Sequence, residues 1–228
     1  MKVTITKDLF RKHPKFHLGL IKIEEINPTK QFQEARLLLK ETEQLTRLLF
    51  AKDTLKNHHL ISPWAVAQRE FGKQAKHYHT SVERLVKKVI KKRSVVGKDT
   101  ITTLVNYLTI KHLIPMTVDD YSLLKGNLTF NVAKGGEKVG RFGKVMKNAL
   151  YYRDRDSVLG TKLDYWKSNE TKVARDTTSI LVHIEALPPI TSTKVKEITK
   201  EVSNLLTSFC GGKAKTFVLN KKKSYVTF

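Results

Sequence analysis

The chain has 228 residues, is 40% hydrophobic, and carries 43 Lys and Arg against 21 Asp and Glu, a formal net charge of +22. That length and apolar content bury a real core, and the single cysteine, Cys210, excludes an internal disulfide and a cysteine zinc cluster. No apolar run approaches the ~20 residues that a membrane-spanning helix needs, and the first residues, MKVTITKDLFRKHPKF, lack the apolar segment of a secretory leader.

The positive charge is not a tail. Residues 1–100 hold 22 Lys and Arg against 10 Asp and Glu, and residues 101–228 hold 21 against 11. A basic surface spread over a whole folded chain attracts a polyanion; the alternative is a basic but merely solvated exterior. The lone cysteine, with no leader and no spanning run visible, points to a cytoplasmic protein.

In chain order, His17 to Ile23 reads as a strand, and Asn27-Pro28-Thr29 as a turn leading into a helix from Gln31 to Lys52. Ser62-Pro63 opens a second helix, Trp64 to Lys76. The clearest helix runs from Ser81 to Arg93. Thr80 and Glu83 form a capping box, and Val82, Leu85, Val86, Val89 and Ile90 make one apolar stripe. Lys87, Lys88, Lys91 and Lys92 take the other side, followed by Arg93. Thr100 to His112 is a further helix, so the first 115 residues are mostly helical after one early strand. Beyond them come strands at Thr129–Val132, Leu150–Tyr152 and Ile180–Ile184, a turn at Lys134–Glu137, a helix over Val195–Phe209 capped by Gly211, and a closing strand at Thr216–Leu219. The expected class is α/β (α+β), a helix-rich, basic N-terminal part with a mixed or antiparallel sheet later, in one integrated unit over residues 1–228.

The familiar chemical motifs are missing. His58-His59 and His77-Tyr78-His79 lack HExxH spacing, so no metal is expected, and neither Gly135-Gly136 nor Gly211-Gly212 has the spacing of a phosphate loop. Cys210 reads as packing rather than as a nucleophile. The lysine group at 87–92, with Arg93, reads either as a solvated face or as a rail for RNA phosphates. The segment Tyr151–Leu181 raises the sharper question, because acids and bases crowd between two apolar stretches. One account is an ion-paired surface connection; the other is a loop-borne site.

An ordered set of short pieces bears on that question: Leu150-Tyr151-Tyr152-Arg153-Asp154, Asp164-Tyr165-Trp166-Lys167-Ser168, Glu170-Thr171-Lys172, and Asp176-Thr177-Thr178 running on to Pro188-Pro189. Earlier pieces are Thr80 to Leu85, Asn106-Tyr107 to His112, Pro115-Met116, Asp119-Asp120, and Ala133 to Glu137; a later one is Cys210-Gly211-Gly212. The set resembles the B3/B4-type editing domain of the phenylalanyl-tRNA synthetase β subunit, and more closely the free-standing proteins made of that domain alone. In the resemblance, Asn106 to His112 is the domain's first helix and Pro115 to Asp120 the turn after it.

The resemblance implies a tRNA-binding α/β domain whose pocket hydrolyses the ester of a wrong amino acid at the tRNA 3′ end. The expected partner is tRNA or aminoacyl-tRNA, no cofactor is expected, and no ATP-binding core is visible that would let this chain charge tRNA. The implied pocket holds Asn106, Thr117, Tyr152, Trp166, Ser168, Thr171, Asp176 and Thr177, with His183 or Glu185 positioning the attacking water. Asp176 and Thr177 also suit plain capping of the strand that follows. Two positions depart from the family pattern: Thr117 stands where a histidine follows the Pro-Met pair, and His183 stands where a glutamate closes the strand, with Glu185 two residues on. The alternatives are a non-catalytic RNA-binding module and a small-molecule-binding protein that reuses the pocket.

Overall fold

A computed structural model describes residues 1–50, 55–64, 80–139, 143–161 and 166–228. The chain opens with strand β1 (Lys2–Ile5), a short helix α1 (Lys7–Lys12) and strand β2 (His17–Glu24). Helices α2 (Phe32–Leu49), α3 (Ser81–Ile90) and α4 (Thr100–His112) follow. Next come β3 (Met116–Asp120), β4 (Leu128–Val132), the two-residue pair β5 (Lys138–Val139) and β6 (Gly143–Lys144), β7 (Leu150–Arg153), β8 (Val158–Thr161) and β9 (Trp166–Lys167). Strand β10 (Ser179–Ala186), helix α5 (Ser192–Cys210), β11 (Lys213–Leu219) and β12 (Tyr225–Thr227) complete it.

Among the described residues the larger strands form two sheets. Sheet A has the order β12-β1-β4-β7-β8-β9 and sheet B the order β11-β2-β10-β3. Sheet B is antiparallel throughout, whereas sheet A is mixed, its one parallel pair being β1 with β4. The α/β expectation with a mixed or antiparallel sheet therefore holds.

Alternation along each strand of sheet B sorts its side chains into two cores. In β10, Ile180, Val182, Ile184 and Ala186 pack with Leu104, Leu108, Val195, Ile198 and Val202 of α4 and α5. Leu181 turns the other way and packs with Leu18 and Leu20 of β2 and with Phe130, Leu150 and Tyr152 of sheet A. The layers are thus sheet A, sheet B and helices. His183 and Glu185 fall on the same parity as Leu181, so they enter the space between the two sheets. Both chain ends contribute to this frame, with β1 and β12 in sheet A and β2 and β11 in sheet B.

The sequence reading needs correction at three places. The N-terminal part has two strands, β1 and β2, where one was expected, because β1 spans only four residues, too short for its alternation to register. Residues 116–120, assigned to a turn by the resemblance, form strand β3; two acidic residues disguise its alternation. Helix α3 ends at Ile90 and not at Arg93, since Lys91 caps it and Lys92 takes a left-handed φ of 56°. The second helix of the sequence reading, Trp64 to Lys76, lies outside the described residues beyond Trp64, as do His77, His79 and Asp164. No described helix is long and apolar enough to cross a membrane.

Candidate functional site

Among the described residues, acidic and histidine side chains are buried together between the sheets at one place. Asp119 of β3 and His183 of β10 are fully buried, and Glu185 is 1% exposed. Antiparallel register sets Thr117 opposite His183, and Asp119 lies two residues further along the same face of β3. The imidazole bridges two carboxylates: its Nδ1 is 2.8 Å from Glu185 Oε1, and its Nε2 is 3.4 Å from Asp119 Oδ2.

Sheet A supplies the remaining partners. From β7, the Tyr152 hydroxyl donates to Asp119 Oδ2 over 3.2 Å, and its ring meets His183 edge-on at 4.6 Å and stacks on Phe130 at 5.3 Å. From β9, the Lys167 ammonium donates to Asp119 Oδ1 at 2.6 Å, and the hydroxyl of Thr171, in the turn that follows β9, donates to the same oxygen. Gly160 on β8 makes room for this arrangement, since a Cβ there would sit 2.4 Å from Tyr152 Cε1. A register shift between β7 and β8 falls at Tyr152/Arg153, where bulges commonly re-aim a side chain.

The electrostatics follow from this geometry. Burial opposes ionisation of Asp119, but the Lys167 ammonium and His183 outweigh it and hold the carboxyl well below the usual carboxylate range. Burial likewise pushes the His183 pKa down, and the nearby Asp119 carboxylate with the hydrogen-bonded Glu185 carboxylate raises it above the ordinary histidine value. Two carboxylates and two cations balance formally in a site shielded from water. Of the four, Lys167 alone reaches solvent, its side chain being 32% exposed.

The structure therefore gathers His183, Glu185, Thr117, Tyr152 and Thr171 into one cluster. His183 and Glu185, read as alternatives, are hydrogen-bonded to each other. Ser168 stands beside Lys167 in the chain; its amide donates to Leu159 O at 2.7 Å and its hydroxyl accepts from Glu170 N at 3.1 Å, which fixes the end of β9. Of Trp166 the backbone is described, paired with Thr161 across β8.

Other expected pocket residues lie apart from the cluster. Asn106 is on α4, in the helical layer behind sheet B, where its amide donates to Val95 O at 2.7 Å. Thr177 donates to Asp120 and accepts from Ala174 N at 2.9 Å, so it ties a turn to the end of β3. Asp176 is exposed in that turn. Cys210 belongs to the core on the helical side of sheet B, opposite the face that carries His183; burial, with the charge of Asp99, pushes its thiol up to about 12.

Two cluster members were not singled out from the sequence as site residues, Asp119 and Lys167. They are 48 residues apart and meet only because β9 and β3 belong to facing sheets. The available signal for Asp119 was its place directly after a mostly apolar stretch, Ile114 to Val118. Much of the remaining polarity of Tyr151–Leu181 is local. The Asp154 carboxylate accepts from the amides of Lys125, Asp156 and Ser157, and the Arg153 guanidinium donates to the carbonyls of Asp154 and Arg155.

The expected RNA-binding residues lie at the end of α3. Lys88, Lys91, Lys92 and Arg93 are exposed. Lys87 is half-buried, with its ammonium 3.8 Å from the buried Glu83 carboxylate. Lysines at a helix C-terminus also interact favourably with its dipole, which is a structural reason for part of this group.

Comparison with known proteins places the fold and this cluster in context. No curated protein matches the chain. A solved N-terminal fragment of the phenylalanyl-tRNA synthetase beta-subunit from Pyrococcus horikoshii is similar over 93% of this chain and 49% of that one, at 8% identity and a TM-score of 0.44. The chain thus spans about half the length of that fragment. The model of the B3/4 domain matches residues 64–211, more than half of the chain and the whole of the inter-sheet cluster, and this chain belongs to the B3/4 domain family.

Proposed function

We propose that the chain binds the charged 3′ end of a tRNA and hydrolyses a mischarged aminoacyl ester in trans. The observation that carries this reading is the group of ionisable side chains, Asp119, Lys167, His183 and Glu185, brought together between the sheets within the family-matched stretch. Buried, mutually perturbed titratable groups cluster at functional sites. Family membership and the net charge of +22 support a tRNA partner in the cytoplasm.

The chemistry requires an acceptor for a water proton and a donor for the developing oxyanion. Both nitrogens of His183 face carboxylates, so the imidazole holds Glu185 in place and Glu185 takes the proton. The water oxygen bonds to the ester carbonyl carbon, the bond from that carbon to the ribose oxygen breaks, and the proton passes to the ribose oxygen. Lys167, at the solvent edge, meets the oxyanion. Tyr152, Thr117 and Thr171 frame the space, and Trp166 and Ser168 flank Lys167. The step calls for neither metal nor cofactor.

A second reading, binding without hydrolysis, is favoured by the burial of His183 and Glu185, which in this arrangement touch no solvent. Amino-acid release from a panel of cognate and mischarged aminoacyl-tRNAs, with binding measured in parallel, separates the two. Release from a mischarged member supports hydrolysis, binding alone supports the second reading, and absence of binding overturns both.

A further inference from the structure

We propose that a basic groove between α2 and the segment Ser94–Val96 holds the sugar–phosphate backbone of an RNA strand. The inference rests on the reading of the chain as a tRNA-binding protein and assigns that partner a surface.

The groove has a volume of about 450 Å³. Arg36, Lys40 and Arg47 line one side, and Ser94 and Val96 line the other. The three cations are spaced i, i+4 and i+11, so they form a row about 16 Å long on one flank of the helix. That flank adjoins the face by which Ala35, Leu39 and Thr46 are buried. A linear row suits a linear polyanion better than a single anion.

Among the described residues no carboxylate is ion-paired with any of the three. Arg36 donates to the neutral Gln33 amide at 3.2 Å. The one acid on the row, Glu43, is turned inward: its Oε1 accepts from Ser94 Oγ at 3.0 Å and from Val95 N at 2.8 Å. These bonds tie the two walls together, and Leu39, Val89, Val95 and Ile110 pack beneath them. The row of cations is thereby held on a rigid floor.

The second wall continues directly into more positive charge. Lys91, Lys92 and Arg93, all exposed, immediately precede Ser94. Leu37, 60% exposed, and Val96, 36% exposed, sit among the cations and offer apolar surface to sugars and base edges. An acidic peptide would meet the same cations, but the spread of positive charge over both halves of the chain favours a long, uniformly charged partner.

The test measures tRNA affinity at a series of salt concentrations for the wild-type chain, for Arg36→Gln/Lys40→Gln/Arg47→Gln, and for an equal-charge control, Lys221→Gln/Lys222→Gln/Lys223→Gln. The groove variant is expected to bind more weakly, its log–log salt slope falling by about 2 to 3, while the control changes by less than about 1. Circular dichroism verifies the fold, and the exposed single change Lys40→Glu serves as a second variant if the triple is unstable. Equal losses in groove and control variants would overturn the groove and leave the function intact, as would equally tight binding of a polyglutamate peptide of matched charge. If the wild-type chain binds no tRNA, the functional reading falls as well.

Discussion

Replacing Asp119 by Asn removes one charge from the centre of the inter-sheet cluster and leaves the shape nearly unchanged. Three donors and the His183 ring converge on that carboxylate. Breaking a buried ion pair by neutralising one partner costs about 3–5 kcal/mol. Lys167 is partly exposed and can turn to water, so its share is that of a surface pair, about 0.2–1 kcal/mol. The remainder falls on His183, which keeps Glu185 on its other nitrogen at 2.8 Å. The expected loss is therefore at the low end, about 3 kcal/mol, or roughly 6–12 °C in Tm for a chain of this size. The difference between wild type and variant also varies with pH. The raised pKa of His183 contributes stability that is complete below 6.5 and is lost as pH rises through its folded value. The lowered pKa of Asp119 contributes stability present above 3.8 and lost only as pH falls through its folded value in strong acid. Thermal unfolding followed by circular dichroism should thus show the widest gap between about pH 4 and pH 6.5, narrowing on both sides. A variant within about 2 °C of wild type across that range would refute the ion-pair account of the cluster.

The imidazole of His183 should retain both ring protons above pH 6.5, where ordinary histidines lose one, and its ring nitrogen shifts in an NMR titration report this directly; a midpoint at or below 6.5 would contradict the double-carboxylate bridge. Gly160→Ala should cost about 1–3 kcal/mol, because the added Cβ meets the buried Tyr152 ring at 2.4 Å, and denaturant unfolding with an unchanged midpoint would show that the ring is not confined. Thr80→Ala removes the acceptor for Glu83 N at 3.0 Å and should lower stability by about 1 kcal/mol by the same assay.

The parts of the fold visible in the sequence are those with local signatures. The capping box at Thr80 and Glu83 forms as expected, with Thr80 N donating to Glu83 Oε2 at 3.1 Å. The apolar run at 180–184 becomes the central part of β10, and the 3.6-residue spacing from Val195 to Phe209 becomes α5. Strand β3 escaped notice because Asp119 and Asp120 read as turn residues, whereas each acid has a dedicated partner from another part of the chain: Lys167 and Thr171 for Asp119, Thr177 for Asp120. The cluster was legible in part. The resemblance pointed to His183 and Glu185 and their spacing set them on one face of a strand, but their mutual hydrogen bond depends on χ angles that spacing does not fix. Lys167 and Tyr152 reach Asp119 only through the packing of sheet A on sheet B, a long-range contact without a local signal. Asn106 illustrates the converse: the resemblance put it in the pocket, and here it satisfies the carbonyl of Val95.

The most direct measurement is amino-acid release from a panel of mischarged aminoacyl-tRNAs, run side by side on the wild-type chain, His183→Ala, Glu185→Ala and the double variant, each verified as folded. The expected result is accelerated release from at least one mischarged tRNA by the wild type. Each single variant should lose about 100-fold or more, and the double variant little beyond that, because two residues hydrogen-bonded at 2.8 Å act as one unit. No acceleration with any tRNA, or release that survives both single substitutions, would contradict hydrolysis at the inter-sheet cluster.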